Sequence, residues 1–177
     1  MTKYIYSALL ILLFATPVFA QKAIESEPGF VDVKQVESWF DQEPNLEVNI
    51  YGALLNLVAE ASRFEDPELA ELLHKLKGIS VRGFQTDGID MQSVRARTST
   101  MSSRLKADGW ETIVKVRDDD EFVDMYLKTI DSNIAGMIVM VINEDDEAVF
   151  VNIIGEIDPE QIGRIGQKFN VGGLGKF

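Results

Sequence analysis

Two neighbouring stretches near the C-terminus restrict the fold more than any other feature. Residues 134–142 (Ile-Ala-Gly-Met-Ile-Val-Met-Val-Ile) and 148–154 (Ala-Val-Phe-Val-Asn-Ile-Ile) are rich in β-branched side chains, and the polar Asn143-Glu144-Asp145-Asp146-Glu147 joins them. A link this short reads as an antiparallel hairpin, because a parallel return needs a long crossover. Alternation then puts Ile134, Gly136, Ile138, Met140 and Ile142 on one side, against Ala135, Met137, Val139 and Val141. In the next strand Ala148, Phe150, Asn152 and Ile154 oppose Val149, Val151 and Ile153. An antiparallel sheet with one wet face alternates apolar and polar residues. This hairpin is apolar on both faces. The second face therefore needs a cover: the helical segment 33–40, a second subunit or other protein partner, or an apolar ligand. A bare face of that size would be an aggregation hazard. Ile138, Met140, Phe150 and Asn152 are the candidate partner or ligand surface.

The rest of the chain supplies the other layers. Asp32 is placed to cap a short helix with Val33, Val36, Trp39 and Phe40 on one face, ended by Pro44. Leu46-Glu47-Val48-Asn49-Ile50 alternates as a half-buried strand. Leu54, Leu57, Val58 and Ala61 form a helical stripe. Asp66-Pro67-Glu68 starts a helix that buries Leu69, Leu72, Leu73 and Leu76 and stops at Gly78. A strand follows over 79–85, with a turn at Asp87-Gly88. Asp90 then caps a long helix with Val94, Met101 and Leu105 inward. Residues 110–116 and 123–127 alternate as two further strands, and Asp158-Pro159-Glu160 opens a last helix with Ile162, Ile165 and Phe169 inward. The sum is a single α+β domain over 31–170. Its antiparallel sheet has about five or six strands, the last four a meander, with three or four helices packed on it. Residues 21–30 read as a flexible lead-in and 171–177 as a mobile tail.

The first twenty residues carry an address. Lys3 precedes the apolar run from Ala8 to Ala15, and Thr16-Pro17 and Val18-Phe19-Ala20 follow. A positive start, a short apolar stretch and a small residue at the boundary make a secretory signal peptide cleaved after Ala20. The run is well short of the ~20 residues that span a bilayer, so no stable membrane insertion is expected after cleavage. Export places the mature protein outside the cytoplasm. Cleavage removes Lys3 and no acid, which takes the 17 basic and 29 acidic residues to 16 and 29, a net charge of -13.

Composition removes several chemistries. The absence of cysteine excludes disulfides, thiol catalysis, thiolate metal sites and lipid attachment at cysteine. A single histidine excludes multi-His metal clusters, and the acid excess excludes a broad nucleic-acid surface. His74 lies among Leu72, Leu73 and Leu76 near a helix end, without a nucleophile motif to serve, and is read as a boundary residue. The acidic runs 118–121 and 144–147 lack the spacing of a calcium loop and read as solvated hairpin turns. No catalytic, cofactor or metal residue is assigned. Arg95, Arg97, Arg104 and Lys106 form the densest basic stretch of an acidic chain. Arg97 and Arg104, seven apart, share a helix face, and join the candidate surface for an acidic partner, an anionic head group or the protein's own acidic turns.

The order of several motifs resembles the bacterial domain of unknown function 4252 family. They are Glu43-Pro44 leading to Val48-Asn49-Ile50-Tyr51-Gly52-Ala53-Leu54-Leu55, then Leu73-His74-Lys75-Leu76-Lys77. Ala107-Asp108-Gly109-Trp110-Glu111 and the run from Val151 to Pro159 complete the set. The likeness spans roughly residues 30 to 170. It implies a small exported bacterial protein without an assigned activity or catalytic residue, in a setting of extracytoplasmic-function sigma factors and their anti-sigma partners. The expectation is a non-enzymatic accessory or binding protein of the cell envelope, linked to envelope-stress signalling. The alternatives are a periplasmic carrier or sensor of an apolar small molecule, and an enzyme with an unrecognised carboxylate site.

Overall fold

In the computed structural model, residues 23–118, 121–144 and 146–157 are described. A short helical turn over Ala23 to Glu25 leads to a 3-10 turn, Val33–Val36, continued by α1, Glu37–Phe40. Then come β1 (Leu46–Tyr51), α2 (Gly52–Ser62), α3 (Pro67–Lys75), β2 (Leu76–Gln85) and α4 (Met91–Ala107). The chain finishes its described course with β3 (Trp110–Arg117), β4 (Glu121–Ile130), β5 (Asn133–Asn143) and β6 (Glu147–Ile157). The signal peptide, the helix expected from Asp158 and the tail lie outside the described residues.

All six strands join one antiparallel sheet in the order β1-β2-β6-β5-β4-β3. The last four strands are the expected meander, and β1 and β2 extend it through the β2–β6 pairing. The local chemistry behaves as the residue types require. Asp66 accepts from the Leu69 amide with Pro67 in the first turn of α3, and Asp90 accepts from the Gln92 and Ser93 amides. Asp32 accepts from the Lys34 amide.

Each sheet face carries its own core. On one face Phe84, Tyr126, Ile138, Met140, Ile142, Ala148 and Phe150 pack with Val33, Val36 and Phe40 and with Val94, Met101 and Leu105 of α4. Phe40 stacks on Phe84 at 4.3 Å between centroids, and Trp39 meets Phe150 edge-on at 5.5 Å. On the other face Met125, Met137 and Ile157 pack with Leu55 and Ala59 of α2 and Leu72 and Leu73 of α3. The double apolar pattern of the hairpin thus has an internal cause, since both faces are roofed by the chain itself. The second roof is partial. Val48, Val81, Val151, Val139, Val141 and Val149, which the pairing puts on that face, stay half-buried.

Four sequence expectations change. Ile134 packs with the α2–α3 side, because a bulge between Ile134 and Gly136 shifts its parity. The third helix ends at Lys75 and Leu76 opens β2 directly. Gly78 lies inside that strand, where a Cβ would meet the Tyr51 ring at 2.5 Å. The α2 stripe faces outward: Leu55 and Ala59 are buried, while Leu54, Leu57, Val58 and Ala61 are exposed. Finally, residues 23–30 are not a loose lead-in. Ile24 is buried, and the chain crosses β5 backbone to backbone, so that a Cβ on Gly136 would meet the Gly29 Cα at 2.5 Å.

Candidate functional site

The residues selected from sequence as a surface fall into two groups. Ile138, Met140, Phe150 and Asn152 are interior, each at most 1% exposed, because α1, its preceding turn and the 29–31 segment cover that face. They offer no docking surface. Asn152 has a structural task instead. Its Oδ1 accepts from the Val31 amide at 2.8 Å, and its Nδ2 donates to the Gly29 and Met137 carbonyls at 3.0 and 3.1 Å. One buried amide thus ties the incoming chain to the sheet, satisfying backbone groups that have left water.

Arg97 and Arg104 are exposed on α4, as their spacing implied. With Gln35, Trp39, Thr100 and Met101 they line a shallow cleft of about 190 Å³, and Arg97 Nη1 reaches the Ser38 carbonyl at 3.4 Å. Arg95 turns to the other side, pairs with Glu144 of the β5–β6 turn and lies over the Phe122 ring at 4.1 Å. Part of the basic helix therefore serves the protein's own acidic turn. His74 Nε2 is 3.1 Å from Glu60 Oε1, a half-exposed contact linking α3 to α2. Among the described residues no group of three or more His, Cys, Asp or Glu is placed to hold a metal ion.

Two buried ionic groups organise the first face. Arg82 is fully buried. Its Nε donates to Glu37 Oε1 at 2.9 Å, and Nη1 donates to the Val81 carbonyl at 2.8 Å and Asn49 Oδ1 at 3.2 Å. Nη2 lies 2.9 Å from Glu47 Oε1 as an ion pair without hydrogen-bond alignment. Asp124, 2% exposed, is gripped by Arg117 Nη2 at 2.7 and 2.8 Å from its two oxygens. Tyr126 lies beside it, and burial pushes its phenol above the ordinary 10.0. Hydrogen bonding with Ser102 opposes that rise and the Asp124 charge adds to it. These groups face packed protein, and each has its own partners.

The surface that remains open lies elsewhere, at the β1 edge. Leu46, Leu54, Leu57 and Val58 are exposed by 36–66%, and Phe64, just past the end of α2, by 94%; among the described residues the other exposed large apolar residues are Ile113, Val116 and Ile130. Beside this edge is a cleft of about 600 Å³ lined by Ile24, Phe30, Val31, Val33, Tyr51 and Leu54, with Asp32, Lys34, Asn49 and Ser80 among its polar groups. The local cause is the junction between β1 and α2. Gly52 takes φ +50, a conformation L side chains rarely adopt. The helix leaves the strand in a phase that turns Leu55 and Ala59 to the sheet and the longer stripe to solvent. Periodicity alone favours the stripe with more leucine, Leu54, Leu57 and Val58. The contrary signal was Ala59 and Ser62, small side chains at the spacing of Leu55.

A family model of known type fits this chain: the domain of unknown function DUF4252 matches residues 40–165. The chain belongs to that family, whose match takes in β1 with its exposed edge, α2 and the whole meander. No curated protein and no solved structure gives a significant match.

Proposed function

We propose that this protein is a non-enzymatic, exported accessory or binding protein of the bacterial cell envelope that works through surface contacts. The observation that carries the reading is the concentration of exposed apolar side chains between Leu46 and Phe64. Single exposed leucines are ordinary, but a stripe at helical spacing beside an edge strand marks a place for a partner. The charged start and short apolar run of residues 1–20 support export, with cleavage after Ala20 into the periplasm or medium. The link to envelope stress rests on what the family resemblance implies.

Complementation of a deletion strain under envelope stress tests this reading. Secreted or periplasmic protein should begin at Gln21. A Leu57→Asp/Phe64→Ser variant should fail to complement while keeping its unfolding temperature, and His74→Ala should complement fully. Turnover of an ester, glycoside or peptide that is lost in His74→Ala would overturn it.

A second reading, carriage of an apolar small molecule, draws on the 600 Å³ cleft between Ile24, Phe30 and Leu54. Its volume falls within the ~300–1,000 Å³ of small-molecule sites, but Asp32, Lys34, Asn49 and Ser80 make its lining partly polar. Native mass spectrometry of protein purified from its own periplasm decides the point: a stoichiometric hydrophobic adduct, displaced in Phe30→Asp, favours the carrier.

A further inference from the structure

The two edges of the sheet are built differently. The β3 edge is guarded: it bulges between Thr112 and Val114, a device that blocks pairing with another chain, and it carries Lys115 and Arg117, both of which also pair with the buried Asp124. The β1 edge has neither. Leu46–Tyr51 pairs with β2 through six consecutive residues without a shift, and it contains no lysine, proline or bulge. Its one charge, Glu47, is held by the buried Arg82. Among the described residues, no strand lies on its outer side.

The exposed stripe of α2 lies beside this edge. One flank of α2 meets α3 through Glu60 and His74, and its inner face buries Leu55 and Ala59. Leu54, which shares its side with Leu57 and Val58, lines the cleft with Asn49 and Tyr51 of β1. The stripe is therefore turned past the sheet edge, beside the unpaired backbone. An unguarded strand edge and an apolar flank next to it are separate liabilities that a single neighbour would cover.

We propose that the neighbour is a second copy of this chain, paired antiparallel through β1 across a two-fold axis at Val48 to give a continuous twelve-stranded sheet. This register sets Val48 opposite Val48 and Leu46 opposite Ile50, extending the apolar rows of the α2–α3 face through both copies. On the other face Glu47 lies opposite Asn49, so no like charges oppose directly. A two-fold axis makes one self-complementary patch sufficient and leaves no further edge of this kind open. The α2 stripes approach each other over the junction. Two copies of Leu46, Leu54, Leu57 and Val58 with their strands bury on the order of 1,000 Å², near the lower end for specific interfaces. Each mature copy has a net charge of -13, 16 basic against 29 acidic residues, so the association is driven by burial against mutual repulsion and should strengthen as salt rises.

The proposal rests on the reading that the protein works through surface contacts, and its test separates the two. Sedimentation equilibrium of the mature chain, from about 1 to 300 µM, should show a monomer–dimer equilibrium that tightens with added salt. Leu57→Asp should weaken it at least about tenfold without changing the circular dichroism, because Leu57 is exposed in the single chain. The chain has no cysteine, so Val48→Cys introduces the single thiol of the protein, and mild oxidation should link two copies through it. A chain that stays monomeric at every concentration, or that cross-links better through Asn49→Cys than through Val48→Cys, overturns the proposal. A dimer indifferent to Leu57→Asp does the same. If the chain is monomeric and Leu57→Asp still abolishes complementation, the dimer is refuted and the surface-contact reading stands with a different partner.

Discussion

At the scale of single residues, the interior polar groups act as fasteners. Asn152 illustrates how far a side chain's role depends on its neighbours. In sequence it is the one polar residue in an apolar strand, which suggests a site. In the fold it holds three backbone groups out of reach of water. Asn152→Leu keeps the volume but strands the Val31 amide and two carbonyls, and should cost about 2–4 kcal/mol in urea unfolding. An equal loss of stability with no change in surface behaviour would confirm a fastener. Tyr126 supports a second test, at alkaline pH. Its phenol is raised above 10.0 chiefly by burial, so the folded state holds that proton more tightly than the unfolded state. Its contribution is fully present below about pH 10 and is lost as pH climbs through the raised value. Tyr126→Phe should flatten the alkaline fall in stability. If the wild type and the variant lose stability in parallel above pH 10, the phenol is not responsible.

At the scale of elements, what was legible followed periodicity and caps. The strands of the meander, the capping aspartates at 32, 66 and 90, and the inward face of α4 need only local chemistry, and the structure has them as read. Phase and covering were illegible because they depend on contacts distant in sequence. The α2 stripe is the clearest case. Leu54, Leu57, Val58 and Ala61 form a good helical face, yet the turn at Gly52 and the packing of α3 select Leu55 and Ala59 as the buried side. Likewise Ile134 changes face at a bulge, which no pattern of alternation contains. The double apolar pattern signals that both faces need cover, but only the fold shows that the chain itself covers Ile138 and Phe150. The two stripes can be separated by mutation. Leu55→Ala should cost about 2–5 kcal/mol as a buried truncation, and Leu57→Ala less than about 0.5. A larger cost for Leu57→Ala than for Leu55→Ala would mean that α2 sits in the phase read from sequence.

For the whole molecule, stability rests on one sheet roofed on both sides, without disulfides to constrain the unfolded chain. The first-face roof is not closed by α1 and α4 alone. The segment from Ala23 to Val31 lies across β5 and β6, touching at Gly29 and Gly136 with no room for a side chain between them. Ile24 is buried beside Gly78 on the neighbouring strand. A segment with so little apolar periodicity gives no sign in sequence that trimming the mature chain to begin at Phe30 would matter. The geometry argues otherwise. Trimming removes the burial of Ile24, about 1.5–3 kcal/mol for a side chain of that size. It also removes Gly29, one of the two carbonyls that receive the Asn152 amide, which leaves a donor unmet in the interior for about another 1–3 kcal/mol. The total is several kcal/mol, a large share of the ~5–15 that holds a domain of this kind together. The trimmed chain should therefore unfold at a markedly lower urea concentration, with faster amide exchange in β5 and β6 than in β3. A Gly136→Val variant of the full mature chain should reproduce that pattern by pushing the same segment off the sheet. An unchanged midpoint for the trimmed chain would show that 23–30 contributes nothing, and that α1 and α4 roof this face unaided.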